Sequence, residues 1–283
     1  MKNYIIDAYG AIYTSYYSYI TKPIFNLKGE NVSAVFGFME TLLKLIKTFD
    51  PENLVMCFDC GKSEYRKELY ENYKANRKPM PDDLRGQIDT IKELIKFMGI
   101  KIVEEKGFEA DDTMAYISKE LAKKDVESFI LTRDKDLFQL INDKIKILRI
   151  YHGEFEILDT EFVINKYGFF PKNIVDYLSL LGDSSDNIKG VRGIGEKYAT
   201  QLVTYYSTLD NIYESIDSIE DKIKKKLIDG KEDAYFSKKL VELNLDVPID
   251  VDLNDYKFDG IDNESMIDKL KEKDIGSLKE YLT

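Results

Sequence analysis

The chain has 283 residues, of which 43% are hydrophobic and 33% are charged, and its formal net charge is −11. This composition is that of a globular protein of one or two domains and excludes a fibrous or disordered chain. The apolar run after Met1 is far too short for a signal peptide, and no later stretch could cross a bilayer, so we expect a cytoplasmic protein.

The first two-thirds of the chain alternate strand-like and helix-like patterns. Runs rich in β-branched and aromatic residues predict strands at 4–7, 54–59, 101–103, 127–132 and 145–150. Apolar residues at helical spacing predict helices over 32–46 and 88–95. This alternation predicts an α/β fold with a central, mostly parallel sheet. Short helices and glycine-rich turns follow, which predicts an α/β domain over 1–160 and a helical region over 161–283.

Acidic residues stand at the ends of these predicted strands and at two later positions. Three predicted strands end in or run into an aspartate, one predicted helix opens on a cluster of acids, and two further aspartates are close in sequence. The residues are Asp7, Asp59, Glu109, Asp111, Asp112, Asp134, Asp136, Asp183 and Asp186. Because the ligand crevice of an open α/β sheet lies beyond the carboxyl ends of its strands, we expect these side chains to converge.

Convergence of so many carboxylates has an electrostatic cost. Taken singly, each acid is more simply explained as a turn residue or as a partner of a helix N-terminus. Two carboxylates about 4 Å apart repel by about 4 kcal/mol at an effective dielectric of about 20, so a shared site requires cations. Oxygen ligands favour Mg²⁺ or Mn²⁺ over zinc, and two such ions can promote phosphodiester hydrolysis. The pattern therefore predicts a phosphodiesterase with two metal ions.

Cys57 and Cys60 are the only cysteines and have a C-x-x-C spacing. Such a pair could belong to a redox centre or to half of a zinc site, but zinc requires further ligands. The chain has no second C-x-x-C motif and a single histidine, His152, so we expect two unpaired thiols.

Basic residues are concentrated in two segments, although the overall charge is acidic. Six basic residues stand against three acidic ones between residues 62 and 78, and seven stand against three between 222 and 239. Local positive charge suits a nucleic-acid partner, because phosphate contacts dominate affinity for nucleic acids.

The segment 62–81 combines such charges with tyrosines. The spacing of its functional candidates predicts that they lie along one face of a helix, which the prolines at 79 and 81 terminate. The candidates are Arg66, Tyr70, Tyr73, Lys74 and Arg77, followed by Lys78. Tyrosine rings can stack on unpaired bases while the cations bind phosphates. A solvated amphipathic helix is the alternative, and we favour the functional interpretation because the segment directly follows Asp59.

Glycines recur in a turn between two predicted helices, over about 185–205. The residues of interest are Gly190, Arg192, Gly193, Gly195 and Lys197. Their spacing is not that of a dinucleotide-binding loop, and no strand precedes them. A helix-hairpin-helix, whose backbone amides approach DNA phosphates at a helix N-terminus, fits better than a plain turn between helices.

These motifs resemble those of the 5′-nuclease family, in particular the 5′ to 3′ exonuclease domain of bacterial DNA polymerase I. The resemblance runs from residue 4 to about residue 245. The matching motifs are Tyr65-Arg66, Tyr73-Lys74-Ala75-Asn76-Arg77, Glu109-Ala110-Asp111-Asp112, Asp134-Lys135-Asp136, Gly182-Asp183-Ser184-Ser185-Asp186-Asn187 and Gly193-Ile194-Gly195-Glu196-Lys197. The resemblance implies a PIN-like core with a helical arch over about 62–81 and a C-terminal region that contains the helix-hairpin-helix.

The resemblance also implies roles for individual residues. One Mg²⁺ ion is held by the acids that match Asp7, Asp59, Glu109, Asp111 and Asp112, and a second by those that match Asp134, Asp136, Asp183 and Asp186, with Mn²⁺ as a substitute. Lys74 and Arg77 steer the scissile phosphate, and Tyr73 stacks on a displaced base. The hairpin holds downstream duplex with help from a K⁺ ion.

Three positions depart from the family pattern, and none of them removes an acid. Ala8 and Lys189 replace a usual glycine and proline, and Arg133 replaces a small residue beside Asp134. The chain stops where a polymerase would begin, so we expect a free-standing, monomeric nuclease linked in function to a separate polymerase and ligase.

The expected function is that of a structure-selective 5′ flap endonuclease and 5′ to 3′ exonuclease in replication and repair. Its products carry a 5′-phosphate and a 3′-hydroxyl. Its substrates are flapped, nicked or branched DNA, with an RNA primer in a hybrid as a further candidate. Two alternatives stay open at this point: a non-catalytic protein that binds branched DNA, and a PIN-type ribonuclease.

Overall fold

The structure is a computed structural model that describes residues 1–61 and 63–282. Within these residues six strands form one sheet: β1 (Lys2–Asp7), β2 (Leu54–Cys60), β3 (Lys101–Lys106), β4 (Glu127–Leu131), β5 (Ile145–Tyr151) and β6 (Glu154–Leu158). Their order is β3-β2-β1-β4-β5-β6, with β1 to β5 parallel and β6 antiparallel to β5. The predicted central, mostly parallel sheet is confirmed, and β6 is the strand that the sequence pattern did not predict.

Helices cover both faces of this sheet. In chain order they are α1 (Ala8–Ser18), α2 (Ser33–Phe49), α3 (Glu64–Leu69), α4 (Asp82–Phe97), α5 (Ala110–Lys123), α6 (Thr160–Tyr167), α7 (Ile174–Leu181), α8 (Glu196–Tyr206), α9 (Leu209–Glu214), α10 (Asp221–Asp229), α11 (Lys231–Val241) and α12 (Asn263–Glu272). Short 3₁₀ helices include Lys135–Leu140 and Gly276–Tyr281. Across the described residues, none of the helices has the length and apolar character needed to span a membrane.

Side chains alternate between the two faces of the sheet. Ile5 and Val55 pack with α5 and with α6 to α11, whereas Ile6 and Met56 pack with α1, α2 and α4 on the opposite face. Burial of both faces explains why the strands are continuous apolar runs, as is usual for parallel sheets.

The C-terminal third of the chain contributes to both faces. Helices α7 to α11 continue the core that contains α5, whereas α12 and Gly276–Tyr281 pack through Met266 and Leu278 on the face that carries α2. A domain boundary near residue 160 stays a prediction, because the hydrophobic core is continuous across that point.

The strand order creates a crevice at the carboxyl end of β1. This strand pairs with β2 on one side and with β4 on the other. The chain adds β2 and β3 to one edge of β1 and later adds β4 and β5 on its other edge, so the strand order reverses at β1. Ligands of open α/β sheets bind at such switch points. Asp7 ends β1 and Asp59 lies near the end of β2, so both carboxylates stand at this crevice.

Candidate metal centre and nucleic-acid interface

An open cavity of about 790 Å³ occupies the crevice at the carboxyl ends of the strands. Six of the predicted acids line it: Asp7, Asp59, Asp111, Asp134, Asp183 and Asp186. Glu109 and Asp112 are buried side chains outside its lining, and Asp136 also lies outside it. The fold thus gathers acids from both halves of the chain into one site.

Backbone amides and a hydroxyl fix the carboxylates at the strand ends. Asp7 caps α1, accepting a hydrogen bond from the Gly10 amide at 2.8 Å and another from the Thr132 hydroxyl at 2.9 Å. Gly10 is required here, because a Cβ on this residue would lie 2.2 Å from an Asp7 carboxylate oxygen. Asp59 accepts from the amide of Ala110 at 2.8 Å, which ties β2 to the start of α5.

The carboxylates raise one another's pKa. Burial raises the pKa of Asp7 to about 6, and the nearby charges of Asp59 and Asp134 add to this effect. Burial and the charges of Asp134 and Asp7 raise the pKa of Asp111 well above its usual value, and burial and Asp134 do the same for Asp136. Because these carboxylates interact so strongly, deprotonating all of them requires positive charge in the cavity.

Lys74 and Arg77 supply part of that positive charge. The Lys74 ammonium lies 2.6 Å from a carboxylate oxygen of Glu109 and 3.6 Å from one of Asp186. The Arg77 guanidinium pairs with the other oxygen of Asp186. Both cations extend from the basic segment into the cavity, where they line its wall.

Asp183 has a different electrostatic environment. Burial would raise its pKa, but hydrogen bonds from the Ser185 hydroxyl and amide and the charge of Lys135 lower it below the usual value. The Lys135 ammonium lies 3.4 Å from the Asp183 carboxylate. Asp183 is therefore ionised at neutral pH in this arrangement.

The donor set fits hard divalent cations. It consists of carboxylates; within the described chain Asp111 accepts no hydrogen bond, and the buried Oδ1 of Asp136 has no partner. Oxygen donors of this kind suit Mg²⁺ or Mn²⁺. In the present side-chain arrangement no three His, Cys, Asp or Glu residues among 1–61 and 63–282 are grouped closely enough to hold a metal ion. Glu109 and Asp186 are paired with Lys74 and Arg77 in this arrangement.

Arg66 is buried and binds the protein itself, and its contact with DNA stays a prediction. Its guanidinium holds both oxygens of Asp112 at 2.7 and 2.8 Å and one oxygen of Glu109 at 3.2 Å. It also donates to the carbonyls of Leu240 and Glu242. Both oxygens of Asp112 are consequently paired with Arg66, and its role as a metal ligand stays a prediction.

Tyr73, for which stacking on a base stays a prediction, is also buried. Its ring is 4% exposed, and its hydroxyl donates to Glu109 at 3.0 Å. Tyr70 is half-buried, with the edge of its ring against Phe236 at a centroid distance of 5.6 Å. Lys78 is exposed, so it remains available to a nucleic acid.

The basic segment is mostly non-helical, and the predicted single helical face is wrong. Helix α3 ends before Tyr70, residues 71–76 form turns, and Lys74 has a positive φ of 54°. The Lys74 amide donates to the Asp186 carbonyl at 3.0 Å, and the Asn76 side chain donates to the Ser184 carbonyl at 2.6 Å. These contacts hold the segment against loop 183–187 and replace helical hydrogen bonds. Residue 62, with which the predicted segment begins, lies outside the described residues.

The glycine turn between α7 and α8 has a buried part and an exposed part. Gly190 is buried, and a Cβ on it would lie 2.4 Å from the Gly182 nitrogen, while its DNA contact stays a prediction. Its role is to let two backbone segments approach closely. The exposed residues of the turn are Arg192, Gly193, Gly195 and Lys197. Gly195 precedes the first residue of α8, so the N-terminus of that helix lies beside the exposed cations.

Several residues of the cavity were missed by sequence reasoning. Tyr9, Tyr13 and Met80 line the cavity, and Thr132 donates to Asp7. The signal for the two tyrosines was available, because they are four positions apart on the helix that Asp7 caps and therefore share a face. The two cysteines are free as predicted, with Cys57 buried and Cys60 exposed.

Two family models match the chain. The 5′-3′ exonuclease, N-terminal resolvase-like domain covers residues 2–168, and the 5′-3′ exonuclease, C-terminal SAM fold covers residues 169–264. The chain belongs to the 5′-3′ exonuclease family. The family suggested by the sequence motifs is thereby confirmed.

Relatives of this 5′-3′ exonuclease family include free-standing and fused proteins. The 5′-3′ exonuclease of Aquifex aeolicus is 34% identical over 275 residues, which cover 97% of this chain and 93% of that protein. DNA polymerase I of Borreliella burgdorferi is 42% identical over 247 residues, which cover 87% of this chain and 27% of the polymerase. The chain thus spans about a quarter of the length of the polymerases that it matches.

Solved structures share the fold over almost the whole chain. The T5 D15 flap endonuclease, in a pseudo-enzyme-product complex with DNA and metal ions, has a TM-score of 0.70 at 18% identity, covering 99% of this chain and 97% of that one. The catalytic core of Rad2 in complex with a DNA substrate has a TM-score of 0.67 at 20% identity, and the match covers 99% of this chain and 90% of that one. The expected 5′-nuclease fold is confirmed by these likenesses.

Proposed function

We propose that this 5′-3′ exonuclease family member is a structure-selective nuclease, acting on DNA as a 5′ flap endonuclease and as a 5′ to 3′ exonuclease. The observation that carries the proposal is the gathering of six carboxylates in one open cavity that Lys74 and Arg77 also line. The T5 and Rad2 relatives in fold, which are complexes with DNA, support the substrate class. The products would carry a 5′-phosphate and a 3′-hydroxyl.

The acids are assigned to two Mg²⁺ ions, for which Mn²⁺ can substitute. We assign Asp7, Asp59, Glu109 and Asp111 to one ion and Asp134, Asp136, Asp183 and Asp186 to the other. Asp112 is left out because both of its oxygens bind Arg66. Two such ions, when bound, supply an activated water and neutralise the charge that develops at the phosphate.

Lys74 and Arg77 bind and orient the phosphate in this proposal. They neutralise Glu109 and Asp186 in the structure. The Arg77 side chain is 51% exposed, so a nucleic acid entering the cavity meets it directly. Once the carboxylates bind metal, both cations can pair with the scissile phosphate and stabilise its developing charge.

The duplex would contact the surface formed by the glycine turn and the lysine-rich helices. Arg192, Lys197 and the exposed amides at the start of α8 suit phosphates without regard to base sequence. Helices α10 and α11 carry most of the second basic segment. A K⁺ ion at the turn and contacts to Lys78 belong to the same proposal.

The biological setting is proposed from the relatives. Likeness to about a quarter of the length of DNA polymerases I supports a cytoplasmic role in primer or flap removal, linked to a polymerase and a ligase. We propose that the chain acts as a monomer, and that an RNA primer in a hybrid is accepted beside DNA.

A cleavage assay tests the proposed function. A duplex with a labelled 5′ flap should be cut near the flap junction in Mg²⁺, cutting should stop in EDTA, and Asp134→Ala should abolish it. Asp143→Ala is the matched control, because Asp143 is exposed and outside the cavity. Absence of cleavage by the wild type, or full cleavage by Asp134→Ala, would refute the proposal.

The same substrates separate the alternatives. Tight binding of the flap without hydrolysis in Mg²⁺ or Mn²⁺ identifies a non-catalytic branched-DNA-binding protein. Preferential cutting of an all-RNA flap of the same sequence identifies a PIN-type ribonuclease.

A further inference from the structure

A second cavity, of about 310 Å³, lies beside the acid cavity. It is enclosed by α1, α2 and the carboxyl ends of β4 and β5. Gly10, Thr14 and Arg133 line both cavities, so the two are direct neighbours. We call this second cavity the Arg133 pocket.

Small and hydroxyl-bearing side chains form much of the Arg133 pocket. Ala11, Ser15, Gly37 and Thr41 line it from α1 and α2. The one acid in its lining is Glu40, whose carboxylate oxygens accept hydrogen bonds from Tyr19 at 3.1 Å and from Tyr281 at 2.8 Å. Because these lining residues are small, the pocket has room for a ligand.

Two arginines line the Arg133 pocket. Arg133 is exposed and forms no ion pair or hydrogen bond with any described residue, although acids stand on the other side of it. Arg149 pairs through Nε with Glu156 at 2.6 Å, and its guanidinium lies 5.1 Å from the rings of Tyr151 and Phe162. Its terminal nitrogens form no hydrogen bond in the described chain, so it retains donors for an anion.

The unpaired state of Arg133 distinguishes it from the other cations of the site. Lys74 and Arg77 both neutralise carboxylates in the acid cavity. A planar guanidinium with free donors is well suited to a phosphate.

We propose that the Arg133 pocket binds one nucleotide, with its phosphate on Arg133 and its sugar and base inside. The volume lies at the lower end of the range for small-molecule sites, roughly 300 to 1,000 Å³, which suits one nucleotide unit. The proposal deepens the proposed function and rests on it, because the nucleotide comes from the nucleic acid being cut. Its source is either a nucleotide within the substrate strand next to the scissile bond or a released 5′-mononucleotide.

Inhibition and substrate kinetics together test the Arg133 pocket. We would measure inhibition of flap cleavage by 5′-deoxyadenosine monophosphate and by deoxyadenosine, and the KM for the flap. The variants are Arg133→Ala, Arg133→Lys and Thr41→Phe, the last of which fills the pocket away from the acids. Arg85→Ala is the matched control, because Arg85 is an exposed arginine outside both cavities.

For a released mononucleotide, the monophosphate should inhibit the wild type and deoxyadenosine should not. Arg133→Ala should then raise the inhibition constant by about tenfold or more, as expected for loss of a charged hydrogen bond, with partial recovery in Arg133→Lys. Thr41→Phe should also raise it, because the larger ring fills the pocket. For a nucleotide of the substrate strand, the same variants should instead raise the KM for the flap by a similar factor. Arg85→Ala should change neither value.

The outcome that overturns the proposal is a wild type that cuts flaps while Arg133→Ala leaves both constants unchanged. Because Arg133 is exposed, this variant should fold normally even if Thr41→Phe does not. A wild type that cuts no flap fails the proposed function instead, so the two failures are distinguishable.

Discussion

Arg66 and Lys74 stand in the same basic segment and have different roles. Arg66 is 2% exposed and neutralises Asp112 and Glu109 from inside the protein. Lys74 contacts Glu109 from the cavity side, where its side chain is 19% exposed. The spacing in the sequence does not distinguish the two residues, because their roles depend on which acids each side chain contacts in the folded protein.

The Arg66 contacts predict a large stability loss on substitution. Arg66→Met would leave the buried Asp112 without its cation and Glu109 with Lys74 alone, and the free energy of unfolding should fall by about 3–5 kcal/mol. Urea unfolding in EDTA measures this loss. Arg192→Met, at an exposed position, should stay within about 0.5 kcal/mol of the wild type. Equal stability of the two variants would show that Arg66 is not a structural cation.

The Lys74 contact predicts opposite changes in metal affinity and in cleavage. Lys74→Met removes the ammonium that lies 2.6 Å from Glu109, so Mn²⁺ should bind more tightly, on the order of tenfold, in titration calorimetry without DNA. Flap cleavage should fall, since the phosphate loses a cation. Lys67→Met is the control, because Lys67 donates to the Glu71 carbonyl and does not line the cavity. Weaker Mn²⁺ binding by Lys74→Met would contradict the idea that Lys74 and the metal compete for Glu109.

At the scale of elements, the glycine turn joins the acid cavity to the surface assigned to DNA. Gly182 and Gly190 pack their backbones together, and loop 183–187 between them carries Asp183 and Asp186. A change in the packing of this pair therefore moves the loop that contributes two acids.

Two glycine substitutions test the role of this turn. Gly190→Ala should destabilise the protein by more than about 1 kcal/mol and reduce cleavage, because its φ is 61° and a Cβ would meet backbone atoms. Gly195→Ala should keep the wild-type stability, since its φ is −93° and no atom lies within 4 Å of an added Cβ. Thermal melts and the flap assay give the two results. A fully stable Gly190→Ala variant would contradict the close-approach argument.

The elements that the sequence predicted well are those set by local patterns. Five strands and the start of α5 followed from apolar runs and from acids at a helix N-terminus. The conformation of residues 70–77 could not be predicted, because it depends on contacts with loop 183–187, more than a hundred residues away. β6 was missed although a signal existed in the sequence, where Gly153 follows His152 between two strand-like runs. In the structure both residues have positive φ in a two-residue hairpin turn. The candidate acids were found because strand ends converge, while burial of Arg66 and Tyr73 depends on packing that spacing does not encode.

At the scale of the whole molecule, the buried acids link stability to pH and metal. The pKa of Asp7 is about 6 when folded, above its usual 3.8, so the folded protein binds this proton more tightly than the unfolded chain. Protonated Asp7 therefore contributes stability that is fully present below about pH 4 and is lost as the pH rises through 6. The full loss corresponds to roughly 3 kcal/mol.

Comparison with Asp7→Asn isolates the contribution that titration of Asp7 makes to stability. In EDTA the variant should gain stability relative to the wild type, by roughly 3 kcal/mol, between pH 4 and pH 8. Mg²⁺ should raise the melting temperature of the wild type more at pH 8 than at pH 5, because the carboxyls must lose protons to bind metal. Parallel curves of stability against pH for the two proteins would show that the pKa of Asp7 is not raised in the folded protein.

The thiol at the end of β2 makes motion of the basic segment directly observable. Cys60 is exposed, whereas Cys57 is buried and burial raises the pKa of its thiol, so a maleimide dye will attach selectively at Cys60 without any cysteine substitution. The chain contains no tryptophan, and Tyr65 is 43% exposed on α3, so Tyr65→Trp would provide a single energy-transfer donor nearby. The labelled protein can then report in real time how far this region shifts when manganese or a flap is mixed in.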